Sequence, residues 1–108
     1  DNVLIVGKQS KNIATFDESI PEDFSLHQNY PNPFNPSTTI KYGLPEQAYV
    51  TLTVHNTLGQ QVATLVNGQQ KEGYHEVVFS NPNLPSGVYF YRLQAGTYSD
   101  TKKLLLIK

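Results

Sequence analysis

Between Tyr49 and Asn56 the chain reads YVTLTVHN, and apolar and polar residues alternate without a break. Val50, Leu52 and Val54 fall on one side, and Thr51, Thr53 and His55 on the other. A period of two is strand geometry, because successive side chains point to opposite faces. A strand with one apolar face needs a second layer to cover it. The same signature recurs along the chain. TTIKYGL (Thr38–Leu44) sets Ile40, Tyr42 and Leu44 on one face. QVATLV from Gln61, YHEVVFS from Tyr74, VYFYRLQ from Val88 and YSDTKKLLLIK from Tyr98 add further segments, and FSLHQ from Phe24 reads as a first, irregular one. Turn signals separate them: LPEQA, NTLGQ with Gly59 placed for positive φ, Asn67-Gly68 as a short hairpin, NPNLPSG, and Ala95-Gly96. No segment carries a helical period. Short strands at roughly 8–12-residue spacing predict an all-β fold, an immunoglobulin-like antiparallel β-sandwich of about seven strands.

The 108 residues suit a single domain, and 38% hydrophobic content supplies one modest core. There is no cysteine, which removes disulfides, thiolate nucleophiles and Cys-ligated zinc together. A net charge of −1 argues against nucleic acid, whose affinity comes from clustered Lys and Arg displacing counterions. The charge is uneven. Residues 1–23 hold two lysines against five acids, net −3, whereas residues 24–108 hold six bases against four acids, net +2. The acidic run DESIPED (Asp17–Asp23) reads as a linker. Residues 1–23 are therefore expected to be the end of a preceding domain or a tether, with VLIV (Val3–Val6) and IATF (Ile13–Phe16) as extra edge strands at most. Residues 24–108 are expected to form the sandwich. The four-residue apolar runs Val3–Val6 and Leu104–Ile107 fall far short of the ~20 residues of a membrane-spanning helix. The chain begins without Met and shows no signal peptide, as expected of a piece of a longer protein.

LPSGVYFY (Leu84–Tyr91) has the pattern of a tyrosine corner, with Tyr89 starting the penultimate strand and bonding back to the preceding corner. Tyr91 stands where antibody domains keep a Cys, so the core is expected to hold by packing. Tyr89, Tyr91 and Leu93 share the inward face.

Two segments depart from plain strand patterning. In NYPNPFNP (Asn29–Pro36), Pro31, Pro33 and Pro36 fix φ and bias Asn32 and Asn35 toward extended backbone. Asn side chains replace the donors that proline lacks. Tyr30 and Phe34 are expected to pack inward as anchors while the segment caps one end of the sandwich and blunts an edge. A stiff cap also makes a handle for a partner. In the terminal TKKLLLIK the alternation fails, and Lys102, Lys103 and Lys108 bracket the apolar run. Two readings stand: a strand covered on both faces, or one face left for a partner to cover by strand addition.

Catalytic patterns are missing. His27, His55 and His75 show no metal-ligand spacing. His55 belongs to an outer face, and His75 reads as a rim histidine facing inward with Val77 and Phe79. Glu46, Glu72, Glu76 and Asp100 suggest no carboxylate pair, and Asp17–Asp23 lacks the spacing of a calcium loop. The serines of NPST and PSG have turn duties and no base in a known motif. No enzyme, cofactor or metal is expected.

NYPNPFNPSTTIKYGLP, VTLTVHNTLGQQVATLVNGQQKEGYHEVVF, LPSGVYFYRLQAG and TKKLLLIK follow in fixed order. Together, over about residues 24–108, they resemble the C-terminal sorting domain, type A, of proteins exported by the type IX secretion system. That family is similar at the level of fold to the immunoglobulin-like domain of flagellar hook-capping proteins. The resemblance implies a non-enzymatic last module of a larger secreted or cell-surface protein of a Gram-negative bacterium. It implies passage through the periplasm, recognition by the outer-membrane translocon, and cleavage upstream by a sortase-like peptidase with surface anchoring of the N-terminal cargo. Pro31, Asn32, Pro33 and Phe34, with Gly87, Tyr89, Lys102, Lys103 and Lys108, are the positions it marks for recognition. A C-terminal signal also requires a true C-terminus, which Lys108 is expected to be. Two other classes are a carbohydrate-binding sandwich of a secreted hydrolase, with Tyr30, Tyr42, Tyr74 and Tyr98 as a stacking row, and a structural spacer.

Overall fold

The computed structural model describes residues 20–108, so the segments VLIV and IATF lie outside the described residues. Seven strands follow one another: β1 (Ser25–Leu26), β2 (Ser37–Leu44), β3 (Ala48–His55), β4 (Gln61–Gln70), β5 (Gly73–Ser80), β6 (Gly87–Ala95) and β7 (Tyr98–Leu106). They form two antiparallel sheets, β1-β2-β5 and β4-β3-β6-β7. This is the immunoglobulin-like sandwich that the alternation predicts. No helix occurs among the described residues.

The inward faces are those read from the alternation. Ile40, Leu44, Val50, Leu52, Val54, Tyr91, Leu93 and Leu104 are wholly buried, and Tyr42 and Tyr89 nearly so. Thr53 is also buried although it faces outward, because β3 is an inner strand with β4 and β6 on either side. His75 lies half-buried on the inward side of β5, stacked on Tyr42 at 5.2 Å, with Nε2 2.8 Å from the Lys71 carbonyl.

The Asn67-Gly68 hairpin is a misreading. Both residues lie inside β4, opposite Thr51 and Val50, and the chain turns only after Gln70. β4 and β5 belong to different sheets, so the connection is a crossover. The Tyr49 hydroxyl donates to Asn67 Oδ1 at 2.7 Å, and ladder pairing overrides the local turn preference. Gly59 does take positive φ, at 85°. The β6–β7 turn falls on Gly96 and Thr97, with Gly96 at φ 60°.

The sheet pairings define two ends. At one, β2 runs into β3, β4 into β5 and β6 into β7, and the incoming chain stacks Phe24 on Tyr98 with ring centroids 5.4 Å apart. The other end holds the start of β2, the β3–β4 turn, the β5–β6 loop and the end of β7.

Candidate functional site

β7 is an edge strand, and its outward backbone groups need partners. From Lys103 to Ile107 the segment Gln28–Phe34 provides them. Gln28 Nε2 donates to the Lys103 carbonyl at 2.7 Å, and the Leu105 N–H donates to Asn32 Oδ1 at 2.9 Å. The Phe34 N–H donates to the Leu105 carbonyl at 2.9 Å, and the Ile107 N–H donates to the Phe34 carbonyl at 3.1 Å. Two side-chain amides and the backbone of one residue thus substitute for a strand. The composition follows from the chemistry: prolines cannot donate, while Asn and Gln carry both donor and acceptor. The peptide bonds before Pro31, Pro33 and Pro36 are cis.

This strap is held to both sheets. Asn29 is 2% exposed, and its N–H and side-chain amide find partners. Its N–H donates to the Tyr91 hydroxyl at 2.8 Å, and its Nδ2 donates to Thr38 Oγ1 at 3.0 Å and to the Pro31 carbonyl at 3.2 Å. Its Oδ1 accepts from Gln28 Nε2 at 2.6 Å. The Tyr91 hydroxyl in turn donates to the His27 carbonyl at 2.7 Å. Burial pushes the Tyr91 phenol up to about 12; the Asn29 N–H works the other way, and the Asp100 charge adds to the rise. It therefore stays neutral at ordinary pH and can both donate and accept. Where antibody domains link their sheets by a disulfide, Tyr91 links β6 to the strap by two hydrogen bonds, a connection that packing alone did not foretell.

Phe34 and Tyr30 part company. Phe34 is 1% exposed and meets Phe79 at 5.8 Å. Tyr30 is 81% exposed, against the expectation that both rings pack inward. Its backbone pairs with Thr39, accepting and donating at 2.9 and 3.0 Å. Thr39 lies between the inward-facing Thr38 and Ile40, so the pairing turns the Tyr30 ring to the outer face. The stacking row also fails, because Tyr42 is buried and Tyr98 is half-buried against Phe24.

The corner and the terminus meet beside the strap. The Tyr89 hydroxyl donates to the Pro85 carbonyl at 2.6 Å, which is the tyrosine corner. Gly87 has φ 155°, a value that side chains rarely adopt. The Lys108 N–H donates to Ser86 Oγ at 3.0 Å, and its ammonium reaches the Pro82 carbonyl. Leu104 and Leu106 point into the core, Leu105 is half-buried outside, and Ile107 is 47% exposed. The reading of an apolar run covered on both faces does not hold.

Among the marked positions, Pro31, Asn32, Pro33, Phe34, Gly87, Tyr89 and Lys108 gather at one end. The lysines do not form one patch. Half-buried Lys102 lies opposite Tyr91, exposed Lys103 lies opposite Phe90 on the other face, and Lys108 is at the tip. Among the described residues no three His, Cys, Asp or Glu side chains cluster as metal ligands would.

Residues 28–108 match the family model of the secretion system C-terminal sorting domain. The chain belongs to this family. The match starts at Gln28, the first residue of the strap, and runs to Lys108. No curated protein matches the chain. Membership makes it a type IX sorting signal carried with a secreted or surface-attached cargo, from a family of domains that are in general non-catalytic. Within this sorting domain, Gln28, Asn29 and Tyr91 escaped the sequence reading as members of the site. A buried phenol must find a polar partner, but alternation alone could not name the strap as that partner.

Proposed function

We propose that the end of the sandwich built from the strap, the β5–β6 corner and the tail of β7 is the surface that the type IX translocon reads. In this reading the recognised element is a folded composite. Pro31, Asn32, Pro33 and Phe34 shape the strap, Gly87 and Tyr89 shape the corner, and Lys102, Lys103 and Lys108 set the charge around the terminal strand. Residues 1–23 serve as the linker to an N-terminal cargo. The cargo reaches the periplasm first, and after translocation a sortase-like peptidase cuts within or before the linker and anchors the cargo at the surface. The type A form of the signal is the one these motifs fit. One observation carries the proposal: segments remote in sequence converge on the end opposite to the one where Phe24 stacks on Tyr98 and the linker enters. A partner can grip the far end without meeting the cargo.

The test is export of a periplasm-directed fluorescent protein fused to the full chain, in a host with a working type IX system. The intact fusion is expected at the surface or in the medium. A fusion lacking Lys102–Lys108, and one with Lys102→Ala, Lys103→Ala and Lys108→Ala that still folds, are expected to stay in the periplasm. Retention of the intact fusion would overturn the reading.

A further inference from the structure

The β3–β4 turn, at the same end, is heavily bonded and presents an apolar side chain to solvent. Asn56 organises it. Its Oδ1 accepts from the N–H groups of Leu58 and Gln60, both at 3.0 Å, and its Nδ2 donates to Gln60 Oε1 at 2.8 Å. Backbone bonds from Asn56 N–H to Gln60 O and from Gly59 N–H to Asn56 O, each 3.0 Å, close the loop, with Gly59 at φ 85°. At its tip stands Leu58, 81% exposed. An apolar side chain in water contributes nothing to this fold, yet its backbone is fixed in advance.

Two clefts share Asn56 and Thr57 as a wall. One, of about 310 Å³, is lined by Val62, Leu84, Pro85 and Tyr89. The other, of about 380 Å³, is lined by His55, Phe90, Arg92 and Thr101. A pre-ordered apolar knob with room on either side for a partner's ridges is suited to docking, because little ordering entropy remains to be lost on binding.

We propose that Leu58 is an anchor that seats in an apolar socket on the outer-membrane translocon, whose flanking ridges enter the two clefts. This deepens the sorting reading and rests on it. The clefts decide between partner chemistries. A bilayer could take up the Leu58 side chain, but one such residue gives weak attachment, and a lipid surface leaves both clefts unfilled. A protein surface fills them.

The experiment uses the exported fusion of the full chain with Leu58→Ala, Leu58→Asp and Leu58→Met. Since Leu58 is exposed, thermal melting of all three is expected to match the parent. Export is expected to fall about tenfold or more for Leu58→Asp, less for Leu58→Ala, and to be retained for Leu58→Met. The chain has no cysteine, so Leu58→Cys places one thiol at the tip. Its alkylation is expected to slow at least severalfold on outer membranes that contain the translocon and not on membranes that lack it. If the parent is exported and Leu58→Asp is exported equally, the anchor is overturned while the sorting reading stands. If the parent is not exported, the sorting reading itself fails. Binding of the purified chain to anionic vesicles that is lost in Leu58→Asp, or a dimer lost in Leu58→Asp on sedimentation, would overturn the socket in favour of a lipid surface or a second copy.

Discussion

The two ends of the sandwich are closed by different chemistry. At the Phe24 end, backbone connections do the work: Pro45–Gln47 and Lys71-Glu72 cross from one sheet to the other, Gly96-Thr97 joins the neighbouring strands β6 and β7, and Phe24 on Tyr98 adds an aromatic lid. At the opposite end side chains close the structure. The side chains of Asn29, Asn32, Asn56, Tyr89 and Tyr91 each bond to backbone that has no strand partner. Many sequences satisfy the first end, because ordinary turns need only a glycine or a proline in place. The second demands particular side chains at particular positions. Residues that look like a recognition motif are thus first of all residues that complete the fold.

The contrast can be broken by mutation. Phe34→Ala removes a ring that is 1% exposed and is expected to cost about 3–5 kcal/mol in urea denaturation. Phe24→Ala, at the end where Phe24 stacks on Tyr98 and only half-buried, is expected to cost less than half of that. Equal costs would erase the distinction between the ends.

Tyr91→Phe leaves the Asn29 N–H and the His27 carbonyl without their partner and is expected to cost about 2–3 kcal/mol. It carries a pH signature. The native phenol sits at about 12 against an ordinary value of 10, so its contribution is complete below pH 10 and drains away as pH rises through 12. Burial also raises Tyr42 and Tyr98, which act in the same direction. Alkaline melts of Tyr91→Phe should therefore show a shallower fall than the parent.

Gly43→Ala sharpens the Phe24 end. A Cβ there would lie 2.8 Å from Ser25 Oγ, 3.0 Å from Pro21 Cγ and 3.1 Å from the Tyr74 ring. A loss of about 1–2 kcal/mol is expected, and no loss would show that residues 21–25 do not pack against β2. The smallest effect belongs to Tyr89→Phe, about 1 kcal/mol for the corner hydrogen bond. A cost near zero would remove the tyrosine corner.

Much of the sandwich was legible in period two. The inward sets Ile40-Tyr42-Leu44, Val50-Leu52-Val54 and Tyr89-Tyr91-Leu93 are all buried, since one-sided burial is what alternation records. Asn67-Gly68 misled because a dipeptide reports local preference, whereas β4 is ruled by its pairing with β3. Tyr30 misled because its direction is set by Thr39, nine residues on and in another strand. The candidate site was legible as residues but not as bonds. Proline and asparagine announced an edge cap, yet only the fold joins Asn32 and Phe34 to Leu105 and Ile107.

The strap's hold on that edge can be measured most directly by native-state hydrogen exchange at the Leu105 and Ile107 amides. Their only partners among the described residues are Asn32 Oδ1 and the Phe34 carbonyl. Both are expected to exchange slowly, at rates close to those of the core amides of β6, and to become fast in Phe34→Ala. Fast exchange of both amides in the parent chain would contradict a closed edge, and with it the folded composite on which recognition is argued to depend.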